Sequence, residues 1–359
     1  MLQMGKQREE GHCISMNGNQ ILVTGGAGFI GSSFVALCVE RGCKVVVLDA
    51  LTYAGHRANL EWITPSVTGG SWELVVGDIA DRTLVSRLLR EHSIGWAVNF
   101  AAESHVDNSI SGPASFVNTN VVGTFQLLEA CREYWNGLPA EQKNTFRYVQ
   151  ISTDEVYGSL GPTGKFSEMS PVLPNSPYSA SKAGADHLVR AWYETYGLPV
   201  ITTHCTNNYG PRQYPEKLIP HMIDCALAGK KLPVYGDGKN VRDWIHVEDH
   251  CAGVWLALTE GKPGQCYDFG GDAEVENIAM VKQICALLDA KNPGVQSYAD
   301  QISFVTDRLG HDRRYAIDDG KAQRELGFVR RYRFEQGIEA TVEWYLANQR
   351  WCELVRNKP

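Results

Sequence analysis

Thr24-Gly25-Gly26-Ala27-Gly28-Phe29-Ile30-Gly31 follows a short β-branched run, residues 21–24, and opens a helical period over residues 29–40. A strand that turns through glycines directly into a helix leaves few folds open, because the helix must lie back across its own strand. Gly25 and Gly28 let the backbone turn and approach a pyrophosphate, Gly31 lets the helix pack on the strand, and the helix start favours negative charge. A glycine turn that serves packing alone is the other reading. Asp49 separates the two: it ends the next strand, residues 44–49, 18 residues past Gly31, placed to accept hydrogen bonds from an adenosine ribose. Ala50, Leu51 and Thr52 offer no cation for a 2'-phosphate, so NAD is expected rather than NADP. Asp78, after the third strand, either approaches the adenine or caps a turn, and the sequence leaves both open.

The same rhythm continues. Short apolar runs at residues 72–77, 96–101, 148–153 and 200–205 alternate with helical stretches at 82–92, 113–135 and 179–196. Strands apolar on both sides and separated by helices imply an α/β fold: a doubly wound parallel (Rossmann) sheet covered on both faces. Past Asn207 the pattern breaks into Pro211, Pro215, Pro220 and Pro233, and a chain of 359 residues is long for one core. The expected division is a dinucleotide-binding domain over 19–206, with 244–270 returning to it. Residues 207–243 and 271–359 are expected to form a smaller C-terminal α/β substrate-binding lobe, with the helix in its 274–289 stretch. Residues 1–18 carry Lys6, Arg8, Glu9 and Glu10 without an apolar core, so they are expected to be a flexible extension rather than a secretory signal.

A formal charge of -7 argues against a nucleic-acid partner, and no apolar run approaches the ~20 residues that cross a bilayer. Ten cysteines are scattered without a C-x-x-C pair, which favours buried free thiols and a cytoplasmic protein over a disulfide framework. His246 and His250 lie four apart beside Glu248 and Asp249, but further ligands are lacking and no metal is expected.

Two further motifs carry chemistry. Tyr178 and Lys182 stand at i, i+4 on one helical face, where a surface pair is the bland reading. In a cleft, an ammonium that lowers the phenol's pKa would let a phenolate take a hydroxyl proton as hydride leaves the same carbon, the chemistry of alcohol oxidation. Ser152-Thr153-Asp154-Glu155-Val156-Tyr157-Gly158 closes the fifth strand with two adjacent carboxyls, which either cap a turn or adopt different protonation states and work as acid and base.

The chain resembles the extended short-chain dehydrogenase/reductase family and, within it, the branch that dehydrates nucleotide sugars. The resemblance runs from about Gln20 to Tyr345. Beyond the motifs above it rests on Ala101-Ala102-Glu103-Ser104-His105-Val106-Asp107, Asn207-Asn208-Tyr209-Gly210-Pro211 and Pro215-Glu216-Lys217-Leu218-Ile219-Pro220. Gly236-Asp237-Gly238-Lys239-Asn240-Val241-Arg242-Asp243-Trp244 and Gly310-His311-Asp312-Arg313-Arg314-Tyr315 complete it. The Thr-Asp-Glu triplet discriminates best, since related epimerases usually carry small or uncharged residues at the second and third places.

The resemblance implies dehydration of dTDP-glucose with bound NAD, with a UDP-sugar 4,6-dehydratase or a nucleotide-sugar 4-epimerase as the alternative reading. It implies that Tyr178 deprotonates the 4-hydroxyl, Thr153 bonds the C4 oxygen, Glu155 removes the C5 proton, Asp154 protonates the departing 6-hydroxyl, and Lys182 holds the nicotinamide ribose. The implied cofactor contacts are Gly25, Gly28, Phe29, Ile30, Gly31, Asp49, Thr52, Asp78, Ile79, Ala101, Ala102, Tyr178 and Lys182. The implied substrate contacts are Glu103, His105, Asn207, Lys217, Leu218, Pro233, Tyr235, Arg242, Asn277, Arg308 and His311, although for any lone cation a solvated surface charge is the simpler reading. A homodimer through a four-helix bundle of helices 113–135 and 179–196 is also implied, with Phe125, Leu128, Leu188 and Trp192 as apolar residues beyond one sheet face's need. The chain departs from the family pattern at Asn108, where Arg is frequent, at Leu309, where Pro is frequent, and at Ala252, where Arg is common.

Overall fold

The structure, a computed structural model, describes residues 20–356, so the expectation for residues 1–18 lies outside the described residues. Strands β1 (Gln20–Thr24), β2 (Lys44–Asp49), β3 (Ser71–Val76), β4 (Trp96–Asn99), β5 (Arg147–Thr153) and β6 (Val200–Cys205) join a later strand in one sheet. Beyond them lie β7 (Asn207–Tyr209), β8 (Leu232–Tyr235), β9 (Val241–His246), β10 (Cys266–Phe269), β11 (Glu274–Glu276) and β12 (Ile302–Val305). The large sheet runs β10-β6-β5-β4-β1-β2-β3 with every neighbouring pair parallel. Strand order reverses between β1 and β4. In an open α/β sheet, the crevice beyond the carboxyl ends of the strands at that switch point is where a ligand fits.

Alternation along the strands builds two cores. Ile21, Val23, Val45, Val47, Val98 and Val149 face the helices Phe29–Glu40 and Val247–Glu260, while Leu22, Val46, Leu48, Ala97, Tyr148 and Val200 face the opposite layer. A third core around Tyr209, Ile219, Met222, Ile284 and Tyr345 joins the helices Leu218–Leu227, Asn277–Lys291 and Phe334–Ala347 to a three-stranded β11-β9-β7 sheet. β8 and β12 form a separate parallel pair.

Two elements differ from the sequence expectation. Residues 274–276 form β11, antiparallel to β9, before the helix begins at Asn277. The 113–135 stretch is broken by a π-helical turn at Val117–Gly123 between the helices Pro113–Phe116 and Thr124–Gly137. A Cβ at Gly123 would lie 2.8 Å from Ile79, so the widened turn brings this helix close to the loop after β3. Of the apolar residues named on the two long helices, Leu128 and Trp192 are buried in the protomer, whereas Phe125, edge-on to Trp192 at 5.8 Å, and Leu188 are only partly buried.

Among the described residues no helix is long and apolar enough to cross a membrane, and no group of three or more His, Cys, Asp or Glu side chains is placed to hold a metal ion. The nine described cysteines are unpaired, eight of them buried.

Candidate active site

A cavity of about 360 Å³ opens at the switch point. Its inner end is built by the fingerprint turn. Gly25 sits at φ +66, and a Cβ there would come within 2.5 Å of the Ala101 nitrogen; a Cβ at Gly31 would come within 2.2 Å of the Gly25 carbonyl. Only hydrogen lets β1, the helix and the loop after β4 approach this closely. The buried Asp49 carboxylate accepts from Ala27 N at 2.9 Å and from Leu51 N at 2.8 Å, so it shapes the floor of the cavity as well as lining it. Asp78 caps a turn, accepting from Ala80 N at 2.8 Å, and also lines the same cavity. Phe29, Ile30, Thr52, Ile79, Ala101 and Ala102 complete this end.

The middle of the cavity carries Thr153, Glu155, Tyr178 and Lys182. Tyr178 and Lys182 are held by a helix, Pro177–Tyr196, whose start is fixed by a capping box between Ser176 and Ser179. Lys182 is buried, and its Nζ donates to the Ile151 carbonyl at 2.6 Å. Burial pushes the Tyr178 phenol well up, with Glu155 and Cys205 adding to it, and burial also lowers Lys182. The Lys182 ammonium thus bonds a strand carbonyl, and the raised phenol carries a contribution from the Glu155 carboxyl.

The two adjacent acids part ways on the short 3-10 turn Asp154–Tyr157, capped by Thr153 through Glu155 N at 3.3 Å. Glu155 turns into the cavity, whereas Asp154 lies behind it, buried, with Thr153 Oγ1 donating to one oxygen at 3.4 Å and its other oxygen unpartnered. Burial and then Glu155 push Asp154 well above the carboxylate range. Burial raises Glu155 too, but Arg308, Arg242 and Lys217 pull it back. The environments thus favour a protonated Asp154 beside a more readily ionised Glu155.

A stability prediction follows from the sign of the Asp154 shift. A carboxyl raised on folding takes up a proton as the chain folds, so its contribution is present below the unfolded pKa and lost as pH rises toward the folded one. Asp154→Asn removes that linkage. Its thermal midpoint is expected to exceed that of the unmodified protein by roughly 2 °C, with a larger gain near pH ~8 than near pH ~5. Melting curves at both pH values check this, and equal gains at both would contradict it.

Beyond Glu155 the residues fall into three groups. Glu103, Asn207, Lys217 and Leu218 line the cavity, with Lys217 Nζ donating to the Ser104 carbonyl at 2.9 Å. Arg242, Tyr235, Arg308 and His311 do not line it but gather beside it. Arg242 is buried, donates to the Asp312 carbonyl at 2.9 Å and lies over the Tyr315 ring at 4.4 Å. Arg308 pairs with Asp107 at 3.6 Å, whose carboxylate also takes the Tyr235 hydroxyl at 3.4 Å, and His311 bonds Asp307 at 2.6 Å with its ring edge toward Tyr235. His105, Pro233 and Asn277 stand apart from the cavity lining: His105 accepts from Asn108 N at 3.2 Å and meets Glu216 at 3.5 Å, Pro233 lies in β8, and Asn277 starts a helix.

Sequence reasoning missed several residues. Tyr53 and Tyr214 line the cavity with rings edge-on at 5.8 Å, and Tyr53 shares a hydrogen bond with Ser104 at 3.0 Å. Asn120, inside the π-turn, accepts from Glu103 N at 2.9 Å and donates to Ser181 at 2.8 Å, tying the loop after β4 to the helix that bears Tyr178. No motif announces these. Cys205 does have a signal, since, like Ser152 in the motif that closes the fifth strand, it stands at the carboxyl end of a parallel strand of the sheet.

A Rossmann sheet with this glycine turn, and a buried helical Tyr/Lys pair over the same cavity, defines an α/β enzyme of the short-chain dehydrogenase/reductase class. Residues 22–341 match the sequence model of the GDP-mannose 4,6 dehydratase family, and the chain belongs to that family. It is 58% identical over 335 residues to the dTDP-glucose 4,6-dehydratase of Xanthomonas campestris pv. campestris (strain B100), covering 92% of this chain and 94% of the relative. The crystal structure of a dTDP-glucose 4,6-dehydratase from Streptomyces venezuelae, with NAD and TYD bound, superposes with a TM-score of 0.84 at 45% identity, covering 94% of this chain and 99% of that one. The UDP-glucose 4-epimerase of Thermotoga maritima, solved with UDP-glucose, reaches a TM-score of 0.80 at 27% identity, covering 92% and 99%.

Proposed function

We propose that this chain is a hydro-lyase that converts dTDP-glucose to dTDP-4-keto-6-deoxyglucose with NAD held throughout the cycle. The observation that carries the reading is the pair Asp154 and Glu155, adjacent in sequence but in unlike environments, beside a buried Tyr178. The fit of a dinucleotide is supported by the close approach at Gly25 and Gly31 and by the buried Asp49 at the same end of the cavity. When bound, NAD supplies a hydride acceptor at C4 that gives the hydride back at C6. Tyr178 takes the 4-hydroxyl proton, and Thr153 donates to the C4 oxygen. The new ketone acidifies the C5 hydrogen; Glu155, which faces the cavity, removes that proton and returns one to C5 as hydride arrives at C6, and the proton for the departing 6-hydroxyl is assigned to Asp154 by family resemblance, its carboxyl lying behind Glu155 in this structure. Lys182, fixed to β5, would hold the nicotinamide ribose.

We read residues 19–206 with 244–270 as the cofactor domain, and 207–243 with 271–359 as the lobe for the nucleotide end of the substrate. In that lobe Lys217, Arg242 and Arg308 supply cations for a diphosphate, with Tyr235 and His311 beside them. His105, Pro233 and Asn277 join this set only through family resemblance. A homodimer through the two long helices is supported by Val117, Val122 and Tyr196, which are apolar and exposed there. Unpaired thiols favour the cytoplasm.

Incubation with dTDP-glucose and with UDP-glucose, followed by identification of the product, tests the reading. A 4-keto-6-deoxy sugar formed faster from the dTDP substrate is expected; a C4 epimer alone would overturn it. Gly31→Ala is expected to purify without dinucleotide, because the new methyl meets the Gly25 carbonyl. The ultraviolet absorbance of cofactor released on denaturation checks this, and stoichiometric NAD in the variant would contradict it.

A further inference from the structure

Ser152, His204 and Asp268 lie side by side across β5, β6 and β10, paired in register. His204 is buried with a carboxylate at each ring nitrogen: Asp268 Oδ1 at 2.9 Å from Nδ1 and Asp186 Oδ2 at 3.2 Å from Nε2. Ser152 Oγ donates to that same Asp186 oxygen at 2.6 Å, and the Tyr157 hydroxyl donates to Asp268 at 3.1 Å. None of Asp186, His204, Asp268 and Tyr157 lines the cavity, and the reaction as read above uses none of them. Burying carboxylates and an imidazole is costly unless they pair and hydrogen-bond one another, as these do.

What the cluster grips gives its use. Ser152 directly precedes Thr153, and Tyr157 ends the turn that carries Asp154 and Glu155. Asp186 sits one helical turn beyond Lys182 on the helix that also carries Tyr178. An imidazole can donate to both carboxylates only as the cation. Burial opposes that charge, but Cys266, Tyr157 and the two carboxylates outweigh it and raise His204 well above its ordinary value.

We propose that Asp186, His204 and Asp268 form a brace that sets the spacing between the Asp154/Glu155 turn and Tyr178, with Ser152 and Tyr157 as its points of attachment. These are positioning residues and touch no reacting atom. The proposal rests on the dehydratase reading, which the unmodified enzyme tests by itself: failure to convert dTDP-glucose would sink that reading before any variant is made.

The brace is tested with Tyr157→Phe and Asp268→Asn in the full-length holoenzyme. Tyr157→Phe removes one oxygen and keeps the ring, whereas Asp268→Asn weakens one arm of the cluster. Both are expected to lower kcat for dTDP-glucose by about 10- to 100-fold, the cost of a small misplacement of reacting groups. KM and the amount of retained NAD are expected to stay within about twofold of the unmodified enzyme. A kcat within about twofold of the unmodified value in Tyr157→Phe would overturn the brace. So would a loss confined to KM, or loss of NAD from both variants, which would mark the cluster as a general support of the fold.

Discussion

Glu155→Gln is expected to reduce formation of the 4-keto-6-deoxy product by about 10²- to 10⁴-fold while C4 oxidation continues. The amide keeps the size of the side chain in the cavity but cannot accept the C5 proton. In the unmodified protein burial raises this carboxyl and Arg308, Arg242 and Lys217 oppose that effect. Tyr178, Lys182 and the fingerprint turn are untouched by the change. Quenched reactions should therefore contain a 4-keto sugar that still bears its 6-hydroxyl, and deuterium from solvent should no longer enter C5. Equal loss of C4 oxidation and elimination would assign Glu155 to the first step instead.

Tyr178→Phe is expected to fail earlier. The ring and its edge contact with Phe116 at 6.3 Å are kept, but the only group proposed to take the 4-hydroxyl proton is gone. Turnover should fall by about 10²- to 10⁴-fold with no 4-keto sugar trapped on the enzyme. This separates the two variants, since one stops after the ketone and the other before it. Burial and Glu155 both hold the phenol up in this structure, and a cationic nicotinamide facing it in the loaded cavity, together with Lys182 on the same helix, would favour the phenolate. A Tyr178→Phe enzyme that accumulates the ketone would remove Tyr178 from its role.

Much of the molecule could be read from local pattern. The glycine turn after β1 and the two-sided apolar strands fix the parallel sheet, because each follows from residues close together in the chain. The π-turn at Val117–Gly123 could not be read that way. It sets Gly123 against Ile79, 44 positions away, and places Asn120 to bridge two other elements, contacts between parts distant in the chain. β11 was hidden for a similar reason, since three residues pair with β9 only once the second lobe is assembled. In the site, the identity of the acids was legible but their separation was not. Adjacent positions on a 3-10 turn send Glu155 into the cavity and leave Asp154 behind it, a matter of backbone direction that composition does not carry. The direction of Lys182 toward a strand carbonyl is likewise a tertiary fact.

In the proposed cycle one hydrogen leaves C4 and comes back at C6 of the same sugar, with a proton exchanged at C5 between the two events. dTDP-glucose carrying deuterium at C4, turned over in ordinary water, tests it most directly by mass and magnetic resonance analysis of the product. The expected product carries the deuterium in the C6 methyl group, and unlabelled substrate turned over in heavy water is expected to take up deuterium at C5. Deuterium retained at C4, or lost to solvent without appearing at C6, would contradict it.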